Sequence, residues 1–241
     1  MEFMKNATPY LGGDDFSKGY AFRFELDKDD LIYRSRNEIL IEQCRDKKII
    51  HLGCVDHNIK IISEKLARSK WLHAELVAVA EHCLGVDINA KGIDYISNTI
   101  GIRDVIALDI VHDECSVITS RKWDILLIPD VLEHINDPVA FLSEIRRKFD
   151  KCISTVIITV PNAFALQNFS YSRRNIECIN TDHRYLFSPY TLAKVATEAG
   201  FKIDKFLMCN SGVVKKHQFL KNYAYSRRPL TRNSIVMFLN P

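Results

Sequence analysis

The chain has 241 residues, of which 47% are hydrophobic and 26% charged. This is enough to bury the core of one α/β domain and too apolar for a disordered chain. No apolar run approaches the roughly 18 residues of a membrane span. The opening MEFMKNATPYLGGDDF mixes acids, Gly and Pro unlike a signal peptide, so a soluble, cytoplasmic protein is expected. The formal net charge of +3 is uneven, with +7 from Phe201 to Pro241 and −4 before it. A basic end of this kind attracts a phosphorylated substrate, a nucleic acid or an anionic surface, or is simply a solvated edge.

In chain order, residues 1–46 read as a polar N-terminal extension ending in a helix from Leu31 to Cys44, and 47–241 as the main domain. Lys48–Leu52, closed by Gly53, is a buried-strand signal. Glu64–Cys83 carries Leu66, Leu72, Leu76, Val79 and Ala80 at helical spacing. Leu84–Ile88 is a second strand, Asn89–Asn98 a short helix and Val105–Asp109 a third strand. Trp123–Ile128 is the most apolar strand. Asp137-Pro138 then starts a helix with Phe141, Leu142 and Ile145 inward. Thr155–Val160 is a fifth strand, Ala163–Thr181 a long loop, and Ser188-Pro189 opens a helix closed by Gly200. Phe201–Met208 and Ser234–Leu239 finish the chain as strands.

The alternation predicts an α/β fold: a doubly wound, mostly parallel seven-stranded sheet with helices on both faces and an antiparallel last strand. Seven cysteines stand singly, without CxxC or zinc spacing, so neither a disulfide nor a structural zinc is expected.

In such sheets ligands bind beyond the carboxyl ends of the strands. There the sequence places Gly53-Cys54-Val55-Asp56, Asp87, Asp109, Asp130 and Pro161-Asn162. A dinucleotide site needs G-x-G-x-x-G to hold a pyrophosphate, yet only Gly53 is present and Asp56 would oppose the phosphates. S-adenosylmethionine (SAM) has no phosphate and carries cationic sulfonium and ammonium groups, which nearby carboxylates favour. Asp87 suits a ribose-binding acid. Each acid taken singly also reads as a helix N-cap.

Lys47–Asn58, Gly85–Asn89, Ala107–Ile110, Trp123–Pro138, Val156–Asn162 and His183–Phe201 together resemble class I SAM-dependent methyltransferases, particularly those acting on small molecules or sugars. The resemblance runs from Leu31 to Met208. It implies that Gly53 and Cys54, with Asp56 beyond them, form the loop beneath the methionine part of the cofactor. It implies Asp87 at the ribose with Ile88 beside the adenine, Asp109 at the adenine amino group with Ile110 lining the ring, and Asp130 near the cofactor. The sequence departs from that pattern in three places: Val55 and His57 occupy positions usually held by glycines, His51 replaces the acid of strand one, and Asn58–Lys70 reads as an insertion.

A hydroxyl acceptor needs a base or positioning group, and His134 and His183 are the candidates. For both, a structural role is the competing reading. Phe164, Phe169, Tyr171, Arg173 and Arg174 suit a sugar, a ring, a phosphate or a plain surface loop. The expectation is a metal-independent O-methyltransferase acting on a small-molecule or sugar acceptor, including phosphorylated ones. The alternatives are nucleic-acid methylation, which lacks a recognisable motif here, and a non-catalytic partner subunit, which the missing glycines motivate.

Overall fold

The computed structural model describes residues 2–12, 16, 18, 19, 21, 23–26, 35–56, 58–212, 223 and 225–241. The expected helix start at Leu31 and the bases Lys215, Lys216 and Lys221 lie outside them, as does His57.

Seven strands form one sheet: β1 (Lys48–Leu52), β2 (His82–Asp87), β3 (Val105–Ala107), β4 (Trp123–Pro129), β5 (Ile153–Pro161), β6 (Lys202–Cys209) and β7 (Ser234–Asn240). Their order is β3-β2-β1-β4-β5-β7-β6, with β7 antiparallel to both its neighbours and the other pairs parallel. The fold class therefore matches the pattern of apolar runs. Alternate residues feed opposite faces, as the period of a strand requires. Ile50, Leu52, Leu126 and Ile128 meet α1 (Glu2–Leu11), α6 (Ser116–Thr119), α7 (Pro138–Phe149) and α9 (Pro189–Glu198). Ile49, Ile125 and Leu127 meet α2 (Arg36–Cys44) and α4 (Leu72–Val77) on the other face. A third cluster joins Cys54 and Val55 to α3 (Ile59–Ala67), Trp71 and α5 (Ala90–Tyr95).

Caps fix where several helices begin. Ser35 and Glu38 form a reciprocal capping box at α2, the Asp137 side chain accepts from the Ala140 N–H at 2.9 Å, and Ser188 accepts from that of Thr191. Gly200, at φ +88°, ends α9 in the left-handed conformation.

Two expectations need correction. The single helix read from Glu64 to Cys83 is instead α3 and α4, separated by a turn in which Ser69 takes φ +50°. Trp71 causes the break: its ring is buried and its Nε1–H donates to the Cys54 carbonyl at 3.3 Å, so the chain must turn inward there. Asn58–Lys70 is thus an ordered helix and turn, with Asn58 capping α3 through the Ile61 N–H. Within Ala163–Thr181, Leu166–Ser172 forms α8, whose residues bury none of their side chains fully. Among the described residues no helix is long and apolar enough to cross a membrane.

Gly85 sits where three elements converge. A Cβ there would meet His73 Cε1 and Val105 Cγ1 at 2.8 Å and Cys54 Sγ at 2.9 Å. Gly85→Ala should therefore cost about 1–3 kcal/mol through overpacking, read as a lower urea midpoint at unchanged m-value. Wild-type stability in this variant would mean that the contact relaxes freely.

Candidate functional site

The order reversal between β1 and β4 opens a crevice at their carboxyl ends. Two adjoining cavities of about 640 and 570 Å³ occupy it and share Gly53, Asp87, Ile88, Val131 and His134, so they form one bent trough. Gly53 begins the loop after β1 at φ +78°, and a Cβ there would lie 2.8 Å from Val131 Cγ2. A side chain at this point would be strained and would block the middle of the trough. Asp87 then fastens the loop: one carboxylate oxygen accepts the Val55 N–H at 3.0 Å, the other that of Asn89 at 2.9 Å. Ile88 stands 76% exposed beside it, an apolar face turned into the crevice.

The smaller cavity extends from Asp87 towards Asp109, between the Ile88 side and Val111, Ile135 and Phe141. Asp109 accepts the N–H groups of Val111 and His112 at 3.0 and 3.1 Å and holds the His112 ring at 2.9 Å. The bond from His112 keeps this carboxylate below its usual range. Ile110 is buried in the main core at the cavity edge.

The larger cavity is ringed by charge. Asp56, at φ +54°, pairs with Lys65 of α3. Asp130, at φ +50°, pairs with Arg36 of α2 and accepts from the Thr159 hydroxyl at 2.8 Å. Burial lowers the Arg36 pKa from its ordinary value, and the surrounding acids work against that. Glu133 is 0% exposed, neither of its carboxylate oxygens has a hydrogen-bond partner among the described residues, and burial raises its pKa to about 7.

His134 and His183 come together edge to face, their ring centroids 4.8 Å apart, and both line this cavity. His134 Nδ1 lies 3.2 Å from the Asp182 carbonyl oxygen and 3.3 Å from its carboxylate. The Arg184 N–H donates to the Glu133 carbonyl at 2.8 Å, and the Tyr185 hydroxyl to that of Asn136 at 2.7 Å. The segment before α9 is thereby stitched to the turn after β4.

Gly53, Cys54, Asp56, Asp87, Ile88, Asp130, His134 and His183 thus line the larger cavity, while Asp109 and Ile110 line the smaller. Sequence reasoning missed Arg36, Lys65, Trp71 and His73, which also line the larger cavity, the last two from beneath, and gave Glu133 no role. Arg36 had one available signal, the capping-box pattern of Ser35 and Glu38, which starts the helix at Arg36 rather than Leu31. That start puts a base in the first turn, where the helix dipole disfavours it.

Residues 30–205 match a family described as a methyltransferase domain. No curated protein is a significant match to the sequence. Among solved structures, the small RNA methyltransferase HEN1 superposes with a TM-score of 0.57 at 16% identity, over 92% of this chain and 27% of that one. The chain therefore spans about a quarter of HEN1. Magnesium protoporphyrin IX methyltransferase (ChlM) from Synechocystis PCC 6803, with bound SAH, gives 0.52 at 13% identity, over 99% and 96% of the two chains. The methyltransferase domain of bacterial CtHen1-C gives 0.51 at 16%, over 89% and 98%. At these identities the likeness is one of fold.

Beneath the trough, His51 of β1 and His73 of α4 form a buried pair with Nδ1 atoms 3.1 Å apart, one donating and the other accepting. Burial drives both pKa values down, His51 well below 6.5 and His73 to about 4. Both rings are neutral when folded and take up protons near pH 6.5 when unfolded. The unfolded state then binds more protons between those values, so stability falls as pH drops from 6.5 towards 4 and is level in this respect above 6.5. The His73 contribution is roughly 3 kcal/mol across that window. Urea unfolding of a His51→Asn/His73→Gln variant at pH 7, 6 and 5 should show a shallower decline than wild type. Equal declines would contradict a neutral pair.

Proposed function

The chain belongs to the methyltransferase-domain family, as a class I SAM-dependent methyltransferase, and on that premise we propose that it methylates a hydroxyl of a small molecule or glycan unit. SAM is the cofactor of the family, and the trough fits it. One observation carries the assignment of sites: Asp87, at the end of β2, ties down the loop after β1 beside an apolar cavity. A carboxylate with both oxygens anchored presents its remaining lone pairs to a ribose diol, while Ile88 offers a face to a purine. Gly53 lets the methionine portion approach the backbone, and Asp109 stands at the far end for the adenine amino group. No residue set for phosphate is required, in keeping with the acids at the strand ends.

The cofactor supplies an electrophilic methyl on sulfur. What the chain's residues add is alignment, dryness and control of the acceptor's proton. His134, where the two cavities meet, and His183, in the larger one, are assigned to the acceptor oxygen. Asp130 is committed to Arg36 and Thr159, which makes it a wall that orients the loop after β4 rather than a free base. A nucleic-acid acceptor is the second reading, favoured by the basic region after Phe201. Against it, Arg232 is 1% exposed and donates to the carbonyls of Met208 and Tyr225, so part of that charge is structural.

Calorimetric titration should show SAM and its demethylated product binding to the wild-type protein, and binding at least about tenfold weaker in Asp87→Asn. Labelled SAM with sugars, phosphorylated sugars and RNA as acceptors should then give an alkali-stable methyl ether on a non-nucleic-acid acceptor. Unchanged affinity in the variant would remove Asp87 from the site, and label in RNA alone would replace the acceptor assignment.

A further inference from the structure

We infer that Glu133, His134 and His183 form a site for one divalent transition-metal ion at the acceptor end of the trough. This deepens the methyl-transfer reading of that cavity and rests on it. One ligand atom from each residue lies within 4.8 Å of those of the other two. Glu133 is 0% exposed and, among the described residues, neither of its oxygens is hydrogen-bonded, which leaves a buried carboxylate lacking a direct partner there. Arg36 is the neighbouring fixed cation, but its guanidinium is paired with Asp130 and makes no hydrogen bond to Glu133. A cation between Glu133 and the two rings supplies what that carboxylate lacks.

The surroundings of His134 point the same way. Its Nδ1 faces the carbonyl and carboxylate of Asp182, and that contact makes Nδ1 the protonated nitrogen and puts the lone pair on Nε2. The two segments that carry the three side chains are already joined by the Arg184-to-Glu133 and Tyr185-to-Asn136 hydrogen bonds. Metal bonds of about 2.0–2.2 Å hold ligand atoms roughly 3.0–3.5 Å apart, so side-chain rotation of an ångström or two closes the site. Two imidazoles and a carboxylate select Mn, Fe, Co, Ni or Zn over Ca or Mg.

Three protein ligands leave coordination positions open to the cavity. An acceptor hydroxyl occupying one is fixed in place and acidified. Its proton passes to water, its oxygen forms the new O–CH₃ bond, and the C–S electron pair stays on sulfur, which turns the sulfonium into a neutral thioether. The sequence alone points to metal-independent chemistry with His183 as a base or positioning group. The clustering with Glu133 assigns both histidines to act through an ion instead.

The test uses the full chain freed of metal by chelation, titrated with Mn²⁺ followed by electron paramagnetic resonance and with Zn²⁺ followed by calorimetry. One ion per chain at micromolar affinity or tighter is expected, weakened at least about tenfold in Glu133→Gln and in His183→Ala. Circular dichroism melts check folding. His183 is only partly buried, so its variant decides the matter if Glu133→Gln does not fold. No binding up to millimolar ion, or equal binding in wild type and His183→Ala, overturns the site. SAM titration of the metal-free protein tests the methyl-transfer reading separately, so failure of one is not mistaken for failure of the other.

Discussion

Everything at the site depends on the divergence of β1 and β4. The two strands are parallel neighbours, yet β1 leads to α3 beside the cluster of Trp71 and α5, whereas β4 leads to α7 on the opposite face. Right-handed crossovers running in opposite directions along the sheet force this, and the gap between the two outgoing chains is the trough. Backbone groups at such a gap have no sheet partners, so side chains must satisfy them. Asp87 does this for Val55 and Asn89, and Asp109 for Val111 and His112. The acids at the strand ends thus hold the turns that follow them, and a carboxylate keeps lone pairs enough for the ligand contact proposed for Asp87 and Asp109 as well.

The trough is electrostatically divided. The smaller cavity has mainly apolar walls with Asp87 and Asp109 among them, while the larger concentrates Arg36, Asp56, Lys65, Asp130, Glu133 and His183, with His134 shared between the two. Two of those acids are neutralised within the protein, Asp56 by Lys65 and Asp130 by Arg36. Glu133 has no such direct contact among the described residues, and its place beside His134 and His183 is what motivates the ion proposed there.

Much of this was legible in the sequence. Continuous apolar runs fixed the strands, and the residue after each run fell at the crevice because parallel strands all end there. His134 and His183, 49 positions apart, could be expected on one edge from topology, but not that their rings touch. The misses have a common cause. Arg36 reaches Asp130 and His73 reaches His51 across the fold, and such pairings leave no local periodicity to read. The break at Ser69 was read over because Leu72, Leu76, Val79 and Ala80 keep helical spacing after it. Leu66, six positions before Leu72, lies off that stripe and is exposed, and the inward turn is dictated by where Trp71 must go.

The central claim is that the crevice opened between β1 and β4 holds the adenosine of SAM through one anchored acid, Asp87. A crystal structure of the chain with S-adenosylhomocysteine at saturating concentration addresses it most directly. The account predicts ribose hydroxyls on the Asp87 carboxylate and the purine against Ile88. A nucleoside bound elsewhere, or Asp87 still facing only Val55 and Asn89 with no ligand density beside it, would contradict it.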